Sequence, residues 1–93
     1  MLLQNRRELE KFGDSHPQAK RPLQTWVLKL LAADWKNFSD VRSTFNSASY
    51  IKPWVIFNVA GNNYRIQTEI DFKRKIVKIR RVGTHQQYDG WKL

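Results

Sequence analysis

The sequence predicts an α+β fold, with a helical N-terminal half followed by an antiparallel sheet. Three observations carry this. Apolar residues recur at spacings of three and four as far as Leu31. From Trp54 the apolar period becomes two. Gly61-Asn62-Asn63 and Lys73-Arg74-Lys75 then supply turns between the alternating runs. A chain of 93 residues has room for one core, so a single domain over 1–93 is expected.

Met1-Leu2-Leu3-Gln4 reads as a short first strand. Asn5 stands three residues before Glu8, an approximate capping box with Asn in place of Ser or Thr, and Leu9 and Phe12 share a face. A helix over about 5–14 is therefore expected, ended by Gly13-Asp14-Ser15. His16-Pro17 opens the next helix, since proline is tolerated at a first helical position. Leu23, Trp26, Val27, Leu30 and Leu31 form its core-facing stripe. Pro22 would disturb a helix already under way, so the regular helix starts near it or the first turn is kinked. Asn37 to Phe45 reads as a short helical connector, with Ser39 as cap and Val41 and Phe45 facing inward. Ser47-Ala48-Ser49 reads as loop.

Trp54 to Val59 is the first strand of a meander. Tyr64, Ile66, Thr68, Ile70 and Phe72 alternate with Arg65, Gln67, Glu69 and Asp71 in the second. A third runs from Ile76 to Val82, after a basic hairpin tip. Ile66, Ile70, Val77 and Ile79 would be buried, leaving Arg65, Gln67, Glu69, Lys78 and Arg80 on the opposite face. A two-residue hairpin loop places Glu69 opposite Lys78; a four-residue loop places Glu69 opposite Arg80 and Arg65 opposite Thr84. Either way no carboxylate lies directly across from Arg65, which leaves it open to grip a phosphate.

Charge says most about partners. Seventeen Lys and Arg against eight Asp and Glu give a net charge of +9. Residues 1–51 carry eight bases and five acids, net +3; residues 52–93 carry nine and three, net +6. A field of this sign attracts polyanions, which points to nucleic acid or the ribosome. Two distant histidines and no cysteine make no ligand cluster, so neither metal nor cofactor is expected. The absence of cysteine, signal peptide and apolar span suits a cytoplasmic protein with no membrane partner.

The segment Arg80-Arg81-Val82-Gly83-Thr84-His85-Gln86-Gln87-Tyr88-Asp89 is the richest in chemistry. Gly83 permits a tight exit from the strand, which sets His85 and Tyr88 beside the arginine-bearing face. RNA cleavage needs a base for the 2′-hydroxyl proton, positive charge at the phosphate and an acid for the leaving 5′-oxygen. Histidine serves as acid or base, arginine supplies charge, and tyrosine stacks or donates. His16, tied to a proline at a helix start, reads as structural. From the residues alone the reading is a basic α+β domain that binds RNA or the ribosome, with the makings of a nuclease.

The stretches Val55-Ile56-Phe57-Asn58-Val59-Ala60-Gly61-Asn62-Asn63-Tyr64-Arg65-Ile66 and Ile79 to Asp89 resemble the HigB toxin family. Members typically show a Phe-Asn strand, a Gly-Asn turn, Tyr-Arg, and a terminal Gly-Thr-His-x-x-Tyr-Asp. His16-Pro17 and Trp35-Lys36-Asn37 fit as well, whereas Pro22 departs from the pattern. The resemblance implies a RelE-like fold, two N-terminal helices packed on one face of a twisted antiparallel sheet of three to four strands. It implies a ribosome-dependent mRNA endoribonuclease that inhibits translation, neutralised by a HigA-like helix-turn-helix antitoxin, with operator DNA bound indirectly through that antitoxin. By similarity Arg65, Arg80 and His85 act on the phosphate and the protons, with Tyr88 in the catalytic set and Asp89 supporting. Lys73, Arg74, Lys78 and Arg81 are the expected RNA or ribosome contacts. Asp89 belongs with them, as does Lys52, which stands where RelE-like proteins often bring lysines. The competing expectations are a non-catalytic ParE-like gyrase inhibitor on the same fold and an inactive RNA-binding relative. His85 and Tyr88 argue against the first.

Overall fold

The computed structural model describes all residues, 1–93. In chain order it contains β1 (Leu2–Gln4), α1 (Arg7–Ser15), a 3₁₀ turn (Pro17–Ala19), α2 (Lys20–Ala32), α3 (Phe38–Thr44), β2 (Ser49–Ile51), β3 (Trp54–Val59), β4 (Tyr64–Asp71), β5 (Ile76–Thr84) and α4 (His85–Asp89). The strands form one five-stranded sheet in the order β1-β5-β4-β3-β2. The fold is α+β, with the N-terminal helices against one sheet face, as the alternating pattern predicts.

The sheet is larger than the expected three to four strands and is mixed. β1 runs parallel to β5, with Leu3 beside Val77, and closes one edge. β2 closes the other by pairing with β3, Tyr50 opposite Val55. It includes Ser49, expected as loop. Such a short edge strand is held by its ladder to β3 rather than by any apolar pattern of its own, so composition does not reveal it.

Both predicted caps are displaced. Asn5 sits at φ +65 and does not cap α1 with its side chain. Its Nδ2 instead donates to the Ile79 carbonyl at 2.9 Å, fastening the end of β1 to β5. The cap position falls to Arg6, which makes no side-chain cap bond. At α3 the cap is Asn37 rather than Ser39: its Oδ1 accepts from the Asp40 amide at 3.0 Å. Pro22 is accommodated because α2 starts only two residues earlier, after the 3₁₀ turn. In a first turn the missing N–H has no intrahelical partner to lose.

The core lies between the helices and one sheet face. Leu23, Trp26, Val27 and Leu30 are buried as their spacing predicts, but Leu31 lies outside the stripe, 44% exposed. Phe57 is fully buried at the centre. Trp26 and Phe45 meet it edge-on at 5.2 and 5.3 Å, and Trp35 stacks at 6.1 Å. The hairpin tip is anchored to this layer by Lys75, whose Nζ donates to the Trp35 carbonyl at 2.8 Å and meets Asp34 Oδ1 at 2.9 Å. The Lys75 hydrogen bond and charge hold the Asp34 carboxyl below its ordinary range.

Candidate active site

A β-bulge decides what the second sheet face displays. Near the hairpin Glu69 pairs with Lys78 and Thr68 with Ile79; beyond it Gln67 pairs with Arg81 and Arg65 with Gly83. Arg80 is therefore the extra residue. The Glu69–Lys78 pairing is the one expected for a two-residue loop; beyond the bulge neither predicted register holds, because both assumed an unbroken ladder. The bulge lets Val77, Ile79 and Val82 all reach the helix side, and it keeps Arg80 and Arg81, neighbours in sequence, together on the other side. Its sequence trace is the three-residue step from Ile79 to Val82 within a two-residue alternation.

This second face is not simply solvated. Ile56, Arg65 and Gln67 on it are 1%, 7% and 4% exposed, and the chain after β5 folds back over Arg65, where the Tyr88 ring meets the guanidinium. Thr84 caps α4 with a complete capping box: its Oγ1 accepts from the Gln87 amide at 3.1 Å, and its own amide donates to Gln87 Oε1 at 2.8 Å. The His85 amide donates to the Asn63 carbonyl, tying α4 to the β3–β4 turn. Gly83 is not a strand exit, as its position suggested, but lies within β5. A Cβ there would meet Trp91 Cζ2 at 2.8 Å and Gln87 Oε1 at 3.0 Å, so glycine leaves room for the tail to pack.

Arg65 and His85 come together under α4. Arg65 Nη1 donates to the Asn62 carbonyl at 2.7 Å, and Nη2 lies 3.2 Å from His85 Nδ1. The guanidinium carbon stands 5.2 Å from the Tyr88 ring centroid. A guanidinium has no acceptor, so Nδ1 must accept and the imidazole proton resides on Nε2. Nε2 in turn lies 3.6 Å from Asp89 Oδ2, one helical turn away. The expectation that Arg65 stands open to a phosphate is corrected here: it is buried, and its N–H groups hold the turn and the imidazole.

Arg81 continues the cluster. Its Nε donates to Gln67 Oε1 at 2.6 Å, and its guanidinium lies 4.4 Å from the Trp91 ring centroid. Trp91 meets Tyr88 edge-on at 5.4 Å. Arg80 does not join this group; it lies 5.3 Å from the ring centroid of Trp54 on β3. Lys78 faces Glu69. Lys73 and Arg74 sit at the hairpin tip, roughly 25 Å along the eight-residue β4 from the His85 end. Arg74 is there tied to Asp71, its amide donating at 2.9 Å. Lys52 occupies the β2–β3 turn, also away from His85. His16 is packed flat on Phe12 at 4.1 Å with Nδ1 near the Phe12 carbonyl, a structural setting. Sequence reasoning missed Gln67, Trp54 and Trp91; an aromatic two residues beyond the Tyr88-Asp89 pair was the available signal for the last.

The His85 and Asp89 side chains are 54% and 63% exposed. The two main hollows of the surface lie elsewhere, between α1 and α2 and beside the hairpin tip. An open, basic face of this kind suits a polymer better than an enclosed small molecule.

No helix is long and apolar enough to cross a membrane. A family described as HigB_toxin, RelE-like toxic component of a toxin-antitoxin system, matches residues 19–91. The mRNA interferase toxin HigB of Escherichia coli K12 is 27% identical over 92 residues, covering 96% of this chain and 88% of that protein. The mRNA interferase HigB of Shigella flexneri matches to the same extent. The chain therefore belongs to the HigB toxin family, the RelE-like toxic component of a toxin–antitoxin system, which implies an antitoxin partner.

Proposed function

We propose that this toxin is a ribosome-dependent mRNA endoribonuclease whose working groups are His85, Asp89, Arg65 and Arg81, with Tyr88 and Trp91 around them. The observation that carries the proposal is the line Arg65–His85–Asp89, at 3.2 and 3.6 Å, on an open cationic surface. The relatives' description as mRNA interferases supports the choice of substrate.

In this reading the 2′-oxygen of the RNA attacks the adjacent phosphorus, the P–O2′ bond forms and the P–O5′ bond breaks. Asp89 takes the 2′-hydroxyl proton. Nε2 of His85 gives its proton to the leaving 5′-oxygen and recovers one from Asp89. The products are a 2′,3′-cyclic phosphate and a 5′-hydroxyl. Arg65 acts through the imidazole: it fixes the tautomer and stabilises negative charge on the ring as Nε2 releases its proton. Arg81, rather than Arg80, supplies positive charge to the crowded phosphate. Tyr88 steadies the Arg65 guanidinium, and Trp91 offers a flat surface to a base. Lys52, Lys73, Arg74 and Lys78 serve as ribosomal RNA contacts away from the chemistry. The antitoxin is a HigA-like helix-turn-helix protein that also carries the complex to operator DNA.

The test is to induce the toxin without its antitoxin and map transcript ends. New internal mRNA ends are expected with the wild type, and far fewer with Arg65→Ala. Growth arrest with intact transcripts and relaxed or broken DNA would instead indicate a gyrase inhibitor.

A further inference from the structure

We propose that Trp54 and Arg80 form a second nucleotide-binding subsite on the same face, which stacks one base of the RNA strand beyond the cut bond. The inference rests on the nuclease reading above but on different residues. Strand alternation would put one of two adjacent arginines on the helix side; the bulge at Arg80 puts both on the open side. Each guanidinium then lies on a tryptophan, Arg81 on Trp91 and Arg80 on Trp54.

The two pairs differ in what remains free. Arg81 spends its Nε–H on Gln67, and Trp91 is wedged over Gly83 against Tyr88. Arg80 is exposed and held by the ring of Trp54 alone, so its N–H edge is open to a phosphate. Trp54 is only partly buried. A partly exposed tryptophan with an exposed guanidinium over its ring is a combination that single-stranded RNA uses: a flat stacking surface for any base and a cation for the adjoining phosphate.

Position and charge favour RNA as the occupant. Since Val55 pairs with Thr68, Trp54 lies level with Glu69, four residues along β4 from Arg65. At about 3.3 Å per residue this is roughly 13 Å from the His85 end, along the sheet face rather than around its edge. Lys78 lies across from Glu69 at this level, and Lys52 precedes Trp54 by two residues in the β2–β3 turn. A strand cut at His85 would thus pass Arg81 and Arg80 on its way to Trp54.

The experiment uses full-length His85→Ala protein, so that binding is read without cutting. Fluorescence anisotropy would be measured with single-stranded oligoribonucleotides carrying one abasic site at successive positions. We expect Trp54→Ala in this background to raise Kd about 10-fold and Trp54→Phe to recover most of the loss. One abasic position should cost the Trp54 protein the same factor and cost the Trp54→Ala protein nothing. Deleting Arg80 removes the extra bulge residue and restores a regular ladder; it should keep the melting transition and weaken binding comparably. Equal affinities with and without Trp54, no abasic position coupled to it, or no binding at all would overturn the proposal. So would loss of antitoxin neutralisation in Trp54→Ala with RNA affinity unchanged, since the patch would then serve a protein. Absence of cutting by the wild-type toxin on programmed ribosomes tells separately against the nuclease reading.

Discussion

Replacing His85 with alanine is expected to slow RNA cleavage by about 10²- to 10⁴-fold, the usual contribution of a positioned proton-transfer group. Single-turnover cutting of a defined mRNA on purified ribosomes measures it. The ring is exposed and contributes little to the core, so the melting transition should hardly move. Arg65→Ala should also lose activity, for a different reason. Without the guanidinium at Nδ1, the His85 imidazole is no longer confined to the Nε2–H tautomer. The ring-nitrogen resonances of His85 should then shift toward a mixture of tautomers, a change that mere loss of packing would not produce. A His85→Ala protein that still cuts within a factor of a few of wild type would remove the imidazole from the chemistry.

Phe57→Ala is expected to destabilise the protein by about 3–5 kcal/mol. The ring is fully buried, with Trp26, Trp35 and Phe45 packed around it. Three large rings cannot collapse into the space of a fourth, so most of the cavity persists. Against a total stability of roughly 5–15 kcal/mol for domains of this kind, the variant should be near its folding threshold. Urea unfolding should show a much lower midpoint at an unchanged slope. A loss below about 1 kcal/mol would mean that the helices are not held to the sheet through this cluster.

The parts of this fold that are legible in the sequence are those with a strong period. The stripe Leu23, Trp26, Val27, Leu30 and Leu31 is buried except at Leu31, and the alternation Ile66, Ile70, Val77, Ile79 is buried except at Ile70, which is only partly covered. The illegible parts depend on partners far along the chain. β1 was legible as a strand but its parallel partner β5 was not, β2 is defined by its ladder to β3, and Asn5 by a carbonyl at position 79. Local chemistry suggested a cap at Asn5 and at Ser39, but the left-handed turn at one and the preceding Asn37 at the other took precedence.

The candidate site divides in the same way. That His85 and Tyr88 stand beside the arginine-bearing face followed from the sequence, and the structure brings Arg65 within 3.2 Å of His85. That Arg65 is buried did not follow, because its cover is supplied by the returning tail. That Arg81 sits with Gln67 and Trp91 while Arg80 lies on Trp54 is a consequence of the bulge. A single extra residue in β5 re-aims two side chains without changing the composition of the strand.

In the proposed reaction the RNA's own 2′-hydroxyl cuts the chain at His85. This reaction is tested most directly with an mRNA carrying a single 2′-deoxy nucleotide on the 5′ side of the cut, presented on ribosomes. This substrate should stay intact, while the all-ribose substrate is cut to a 2′,3′-cyclic phosphate and a 5′-hydroxyl. Cutting of the deoxy substrate at the same bond, or a 5′-phosphate on the new end, would contradict the proposed reaction.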